Sequence, residues 1–250
     1  MISNCILQYI GMREGCLMKR SPSTACSTCN TRREFLKKTA KAAVATSSLI
    51  LLGSVTIKSQ AASERVRGRR FAMFIDVDKC YGCYACVVAC AHENNVPIGV
   101  YRTWIERYVK EDGTPVYVPK QCNHCDNPSC VDVCPVKATY VNEDGIVLVD
   151  DDLCIGCGAC IQNCPYGARF YNPIKGVADK CTFCVHRIYS DMLPACVEAC
   201  PTGARVFGEL ADEESEVSKL IRSNNVQQLK PWTGNDPQIF YKDLPQEANT

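Results

Sequence analysis

Sixteen of the chain's 20 cysteines fall into four groups of four. In the first and third groups, three cysteines separated by two residues each are followed by a fourth cysteine after three more residues. The second and fourth groups keep the opening Cys-x2-Cys and the closing Cys-x3-Cys but have a longer middle segment. The groups are Cys80, Cys83, Cys86 and Cys90; Cys122, Cys125, Cys130 and Cys134; Cys154, Cys157, Cys160 and Cys164; and Cys181, Cys184, Cys196 and Cys200. Such an internal repeat predicts one structural unit that is used several times.

The regular spacing is typical of iron–sulfur cluster binding. Three thiolates separated by two residues lie on a tight loop that can surround one iron–sulfur cube. The fourth cysteine lies about one helical turn further along, points away from that loop and so reaches a second cluster, as in two-cluster ferredoxins. Pro135, Pro165 and Pro201 follow the last cysteine of three groups, where we expect each proline to end a short helix.

Zinc sites and disulfides are the other common uses of cysteine. A zinc site needs only four ligands and favours two Cys-x2-4-Cys pairs, or one such pair with two histidines, which fits these dense groups poorly. A disulfide framework is compatible with the even cysteine count and with the export signal described below. However, disulfide scaffolds rarely repeat Cys-x2-Cys-x2-Cys, and redox Cys-x-x-Cys motifs occur once or twice rather than in four groups. A structural or metal-storage module held together by zinc or disulfides is therefore the alternative from a different class.

The composition is that of a folded protein, since 46% of the residues are hydrophobic and the formal net charge is +1. That small charge conceals an asymmetry. Residues 1–62 carry nine Lys or Arg against two acidic residues, so residues 63–250 have a net charge of −6. An acidic body argues against nucleic acid as a partner.

The basic front end has the features of an export signal. Arg32 and Arg33 precede a Phe-Leu-Lys sequence, a weakly apolar run over residues 40–57, and small residues at Ala61 and Ala62. This order resembles a twin-arginine signal peptide. We therefore expect cleavage near Ala61 or Ala62, and a mature protein at the periplasmic face of the cytoplasmic membrane. The four remaining cysteines precede the signal: Cys5, Cys16, Cys26 and Cys29. We expect that the natural start codon lies downstream of the first residue, so that part of this segment is not translated.

Short strands and hairpins are expected to position the cysteine groups. The pattern predicts strands or strand pairs at residues 71–76, 138–141 with 146–149, 168–171 with 177–179, and 204–207. An insertion over residues 101–118 predicts another hairpin, and Gly82, Gly156 and Gly158 are expected to let the backbone approach sulfur closely.

The last forty residues differ in character from the repeat. Residues 211–223 predict one amphipathic helix, with Val217, Leu220 and Ile221 on one side. Beyond Asn224 the chain is polar and contains three prolines, so we expect it to cover a surface in extended form.

The motifs as a set resemble a known family. The four groups, followed by Leu-Pro-Ala-Cys-Val-Glu-Ala-Cys-Pro at residues 193–201, resemble the four-cluster ferredoxin-type beta subunits of molybdopterin oxidoreductases related to dimethyl sulfoxide reductase. The resemblance covers about residues 68–210, and the motifs are far more specific for fold and cofactor than for the terminal substrate. Within that family the tetrathionate reductase members look most similar, on residues 122–128, 143–147, 178–187, 229–231 and 239–241.

The resemblance implies an α+β fold of two interleaved bacterial-ferredoxin-like modules, each a double βαβ unit that binds two [4Fe–4S] clusters. We expect the following organisation: an N-terminal extension and signal peptide over residues 1–62, the first part of module A with the hairpin insertion over 63–121, module B over 122–172, the second part of module A over 173–210, and a helix with an extended tail over 211–250.

The family's ligand pattern pairs the first cysteine group with the fourth and the second with the third. Site I then takes Cys80, Cys83, Cys86 and Cys200, and site II takes Cys90, Cys181, Cys184 and Cys196. Site III takes Cys122, Cys125, Cys130 and Cys164, and site IV takes Cys134, Cys154, Cys157 and Cys160. All sixteen positions are cysteine, so the resemblance implies four [4Fe–4S] clusters.

Other residues near the ligands are candidates for smaller roles. Nearby charge can raise a cluster's potential, and the candidates for that role are Lys79, Lys120, Lys180 and Arg187. The three histidines are redundant as ligands because the four groups are complete: His92, His124 and His186.

A cluster with four protein thiolates has no open iron for a substrate, so electron transfer is expected rather than catalysis. The sequence carries no Gly-rich nucleotide loop, nucleophile constellation or paired-carboxylate site, and we expect no enzyme activity from the chain alone. The resemblance implies an electron-transfer subunit that connects a membrane quinone-reactive subunit with a periplasmic molybdopterin catalytic subunit, as in tetrathionate respiration. The alternative is the iron–sulfur subunit of a thiosulfate, polysulfide, nitrite or other respiratory oxidoreductase. Membrane contact is expected only through the partner.

Overall fold

The computed structural model describes residues 68–249. The strands are β1 (Phe71–Asp76), β2 (Thr103–Val109), β3 (Pro115–Gln121), β4 (Thr139–Val141), β5 (Val147–Val149), β6 (Arg169–Tyr171), β7 (Ala178–Lys180), β8 (Arg205–Glu209), β9 (Val226–Gln227) and β10 (Ile239–Lys242). The α-helices are α1 (Ala85–Glu93), α2 (Ser129–Asp132), α3 (Ala159–Gln162), α4 (Val185–Ile188), α5 (Ala195–Glu198) and α6 (Glu216–Ser223). Short 3₁₀ helices lie at Val77–Lys79, Pro231–Thr233 and Gln246–Asn249.

Two sequence expectations fall on residues that precede this part of the chain. The twin-arginine segment and the first four cysteines lie outside the described residues. Within residues 68–249, no helix has both the length and the apolar character needed to cross a membrane.

A four-stranded sheet in the order β8-β1-β10-β9 joins distant parts of the chain. β1 pairs antiparallel with β8 and parallel with β10, and all six of its residues are buried. A strand between two neighbours is covered on both edges, and here both faces are covered as well. The apolar sequence Phe-Ala-Met-Phe-Ile of β1, which lacks the alternation of a half-exposed strand, fits that position.

The C-terminal tail contributes a core strand. We expected residues beyond 224 to cover a surface, and this expectation is wrong for β10, which pairs with β1 from Met73↔Ile239 to Asp76↔Lys242. Ile239 and Tyr241 are fully buried. The Tyr241 hydroxyl donates to the Pro119 carbonyl at 3.1 Å, which ties the tail to β3.

Three antiparallel hairpins stand before cysteine groups, as the sequence predicts. β2 and β3 precede the second group, β4 and β5 the third, and β6 and β7 the fourth. Thr103 pairs with Gln121, and Arg169 pairs with Lys180, so each of these two hairpins ends one residue before a cysteine.

Helix α6 is shorter than predicted at its N-terminus because Ser215 caps it. The Ser215 hydroxyl accepts from the Ser218 N–H at 3.3 Å, so the helix begins at Glu216. Val217 is fully buried and packs in a small apolar cluster with Ala72 and Phe74 of β1, which confirms the predicted apolar side.

Two of the three glycines in the cysteine loops have a steric reason. A Cβ on Gly82 would lie 2.5 Å from the Tyr117 ring, and one on Gly156 would lie 2.6 Å from the Gly176 carbonyl oxygen. Both glycines have positive φ, which L side chains rarely adopt. The atoms that a side chain at Gly82 or Gly156 would meet therefore belong to the hairpin that precedes the following cysteine group. A Cβ at Gly158 would meet no described atom within 4 Å.

Candidate iron–sulfur sites

The sixteen cysteines divide by exposure. Cys83 of site I and Cys157 of site IV are exposed, whereas nine of the sixteen are buried, including all four of site II. We call sites I and IV the outer sites and sites II and III the inner sites. All sixteen are free thiols, and no disulfide forms among residues 68–249. The disulfide framework considered from sequence is absent from that part of the chain.

The residues of site III line one pocket. Its cysteine lining consists of the four predicted ligands, Cys122, Cys125, Cys130 and Cys164. β3 delivers the first of them, since this strand ends at Gln121, and α2 carries Cys130. Burial and the neighbouring thiols of Cys122, Cys130 and Cys164 raise the pKa of Cys125, so the four sulfur atoms share one buried environment.

The residues of site II line a second pocket. Cys90 comes from α1, Cys196 from α5, and Cys181 and Cys184 from the loop that follows β7. Burial, together with Cys196 and Cys184, raises the pKa of Cys90 to about 12. The structure thus brings together residues that lie up to about a hundred positions apart in sequence.

The outer sites are more open. Burial and the neighbouring thiols of Cys86 and Cys200 raise the pKa of Cys80, so three members of site I lie near one another. At site IV, Cys154 packs against a small cluster of buried residues that includes Cys160 and Cys130. Cys83 and Cys157, the second cysteine in each of the regular groups, lie outside both cavities at the protein surface.

The residues around the inner cavities fit an iron–sulfur cluster. Each cavity offers four sulfur donors, which is the donor set of a [4Fe–4S] centre. The Asn94 amide points its N–H group at the Cys90 and Cys184 sulfur atoms, at 3.7 and 3.6 Å. Asn123 lines the site III cavity, and its side chain is buried with no hydrogen-bond partner within the described part of the chain. A cluster sulfur would supply an acceptor there.

An aromatic pair joins the two inner loops. His124, two residues after Cys122, stacks on Phe183, two residues after Cys181, with ring centroids 3.7 Å apart. His124 is fully buried, and burial holds its pKa well below the usual value, so the ring is neutral. Its Nδ1 accepts from the Val147 N–H at 3.2 Å. His124 therefore packs between sites II and III.

Three of the four basic candidates are paired with carboxylates. Lys79 lies 3.9 Å from Asp76, and Lys120 lies 2.7 Å from Glu106. Arg187 pairs with Glu93 at 2.8 Å and also with a second carboxylate, that of Glu198.

Lys180 is different because it is 1% exposed and makes no ion pair within the described residues. Its ammonium group donates to the backbone carbonyls of Val147 and Cys181.

The sequence reasoning missed two buried arginines that touch the inner sites. Arg169 donates to the Cys130 sulfur at 3.1 Å, and Arg205 lies 3.9 Å from the Cys196 sulfur. Each arginine follows the last cysteine of its group by five residues, in Cys-Pro-Tyr-Gly-Ala-Arg and Cys-Pro-Thr-Gly-Ala-Arg. This repeated Cys-Pro-x-Gly-Ala-Arg sequence is the signal from which both arginines could have been identified as candidates.

Comparisons with known proteins agree with this geometry. Two models of 4Fe-4S dicluster domains match, one at residues 79–138 and one at residues 114–210. The sequence is 56% identical to the B subunit of tetrathionate reductase from Archaeoglobus fulgidus over 201 residues, which cover 78% of this protein and 95% of that one. It is 43% identical to the B subunit of tetrathionate reductase from Salmonella typhimurium over 86% of this protein and 89% of that one. It is also 43% identical to the B polypeptide of polysulfide reductase from Wolinella succinogenes over 69% of this protein and 93% of that one.

Proposed function

This protein belongs to the family of 4Fe-4S iron–sulfur subunits of respiratory reductases, and on that premise we propose that it relays electrons in a tetrathionate reductase-like complex. Members of this family are electron-transfer subunits with four clusters and not the catalytic subunits of their complexes. The protein therefore carries electrons one at a time along its four clusters.

The single observation that carries the proposal is the pair of inner cavities, each lined by four cysteines from two sequence groups. We assign sites I to IV the ligand sets given above. The pairing of β1, before the first group, with β8, after the fourth, supports two interleaved double βαβ modules, because it closes residues 71–76 and 205–209 into one sheet. Four cysteine ligands per cluster leave no iron position for a substrate, so the clusters exchange only electrons.

The partners in this proposal are a molybdopterin catalytic subunit and a membrane quinone-reactive subunit. Electrons enter and leave through the outer sites, whose loops expose apolar side chains. Tyr81 and Tyr84 lie on either side of Cys83, and Leu153 and Ile155 lie on either side of Cys154, in the same loop as Cys157; all four are exposed. Exposed apolar residues beside a redox centre are typical of a docking surface. The twin-arginine segment supports a periplasmic location for the complex.

Anaerobic co-purification from the native host tests this proposal. We expect about sixteen iron atoms per chain, four for each cluster, and molybdenum or tungsten in a co-eluting large subunit. The complex should oxidise a quinol analogue with tetrathionate as the acceptor. Turnover of polysulfide or thiosulfate but not tetrathionate would instead favour the relationship to polysulfide reductase. An iron-containing monomer that elutes without a partner would contradict the electron-relay proposal.

A further inference from the structure

Two buried guanidinium groups lie beside the inner sites without a carboxylate partner. Arg169 is 4% exposed and Arg205 is 2% exposed. Neither forms an ion pair with Asp or Glu anywhere in residues 68–249. A buried charge is retained only where an opposite charge or strong hydrogen bonds compensate it. The groups next to both arginines that can supply an opposite charge are cysteine sulfur atoms, which are thiolates when they ligate a cluster.

Arg205 is held in place by neutral groups on several elements. One of its terminal nitrogens donates to Gln121 Oε1 at 2.9 Å, and the other donates to Thr103 Oγ1 at 2.9 Å. These partners fix the guanidinium and leave its charge uncompensated. Two sulfur atoms lie within 4 Å of that charge, Met73 Sδ at 3.7 Å and Cys196 Sγ of site II at 3.9 Å, and only the second belongs to a candidate cluster ligand. Cys86 of site I also acts on the Arg205 charge, but less strongly than Cys196.

Arg169 has the corresponding arrangement in the other half of the protein. One terminal nitrogen donates to Thr139 Oγ1 at 3.2 Å. The other donates directly to Cys130 Sγ of site III at 3.1 Å. Cys130 and Cys196 are both the third cysteine of their groups, so the two arginines approach equivalent ligands.

The two halves exchange the positions of arginine and threonine. Thr103 and Arg169 both begin a hairpin that ends one residue before a cysteine, opposite Gln121 and Lys180 respectively. Arg205 and Thr139 both follow the last cysteine of a group by five residues. Near site II the arginine follows a cysteine group and its threonine partner begins a hairpin. Near site III the arginine begins the hairpin and its threonine partner follows the cysteine group.

We propose that Arg169 and Arg205 set the reduction potentials of the inner clusters, at sites III and II, above those of the outer clusters. This inference rests on the ligand sets of the proposed function. One-electron reduction adds one negative charge to a site, with no bond made or broken. A fixed guanidinium beside a ligand sulfur stabilises that added charge, and burial strengthens the effect because little water screens it. Electrons added to the protein therefore reside first on the inner pair.

The test is a redox titration of the purified complex, followed by electron paramagnetic resonance. The variants are Arg169→Gln and Arg205→Gln. We expect each variant to lower one of the two highest reduction potentials by at least about 59 mV. For a one-electron couple this is a tenfold change in the equilibrium constant for reduction. The two variants should affect different signals, and the two lowest potentials should change less. Shifts confined to the low-potential signals, or no shift in either variant, would overturn the inference.

Two further variants separate charge from structure. Arg169→Lys and Arg205→Lys keep the charge and should restore most of each potential. Lys175→Gln removes a charge from a surface lysine that pairs with Asp151 at 2.6 Å, and it should shift no signal. A Lys175→Gln shift as large as that of the arginine variants would mean that net charge, and not the buried guanidinium, sets the potentials.

A measurement on the unmodified complex does not depend on any variant assembling. Sites II and III are neighbours, since the stacked His124 and Phe183 belong to their two loops. The sample with two added electrons should therefore show a magnetic interaction between two reduced clusters, and isolated signals at that stage would contradict the inference. Iron content distinguishes the two proposals: fewer than four clusters would refute the proposed function, whereas four clusters with unmoved potentials would refute only this inference.

Discussion

Replacing Ile239 by alanine tests whether the C-terminal tail stabilises the cluster-binding fold. Ile239 is fully buried in β10, where it pairs with Met73 of β1 and belongs to the main apolar core. Truncating a buried isoleucine to alanine costs about 2–5 kcal/mol. Complete burial beside a central strand places Ile239→Ala at about 4 kcal/mol in that range.

The assay must be kinetic because a protein that loses metal clusters does not unfold reversibly. We expect the rate of cluster release in denaturant, followed anaerobically by absorbance near 400 nm, to rise in the variant. If the tail opens before the clusters are lost, a destabilisation of about 4 kcal/mol can raise the rate of cluster release by at most about a thousandfold. An acceleration of at least tenfold is expected.

Trp232→Ala is the matched control, since Trp232 lies in the same tail but is 68% exposed. Its substitution should change the free energy of unfolding by less than about 0.5 kcal/mol. Equal release rates for Ile239→Ala and the unmodified protein would refute the reasoning, because they would show that β10 detaches without loosening the cluster sites.

Two other predictions concern the clusters and their loops. Removing iron with a chelator should unfold the described domain, because metal–thiolate bonds supply folding energy; unchanged circular dichroism and protease resistance of the apoprotein would contradict this. Gly156→Ala should lower the melting temperature of the iron-loaded protein by more than Gly158→Ala. Both positions have positive φ, which costs about 1 kcal/mol or more for alanine, but only Gly156 also places a Cβ 2.6 Å from a carbonyl oxygen. Equal melting temperatures would show that the loop moves away at little cost.

Local sequence signals predicted the hairpins but not the strand order of the sheet. The turn at residues 142–145 lies between two short apolar runs, so β4 and β5 follow from neighbouring residues. The pairing of β1 with β10 joins residues more than 160 positions apart, and it leaves no local periodic signal. The prolines of the tail suggested an irregular segment and concealed the four-residue strand between them.

The site shows the same division between local and long-range information. Cysteine spacing predicts sixteen candidate ligands, because the pairs Cys-x2-Cys and Cys-x3-Cys are local features of the sequence. The partners of Arg205 could not be predicted in this way. Thr103 precedes it by 102 residues and Gln121 by 84, and neither belongs to a repeated motif. The sequence shows that Arg205 follows Cys200 by five positions, but only the fold shows that its charged group is buried.

Burial and charge together give the four sites unequal roles in the proposed relay. The exposed cysteines belong to the outer sites, so a partner's redox centre can approach those sites closely, whereas solvent and partners do not reach site II. The buried guanidinium groups lie against ligands of the inner sites. An electron that enters at one outer site therefore moves to a more favourable inner position, and its departure through the other outer site is the uphill step. On this reasoning the rate of transfer through the protein depends on Arg169 and Arg205, although both residues are buried and neither is a candidate ligand of iron.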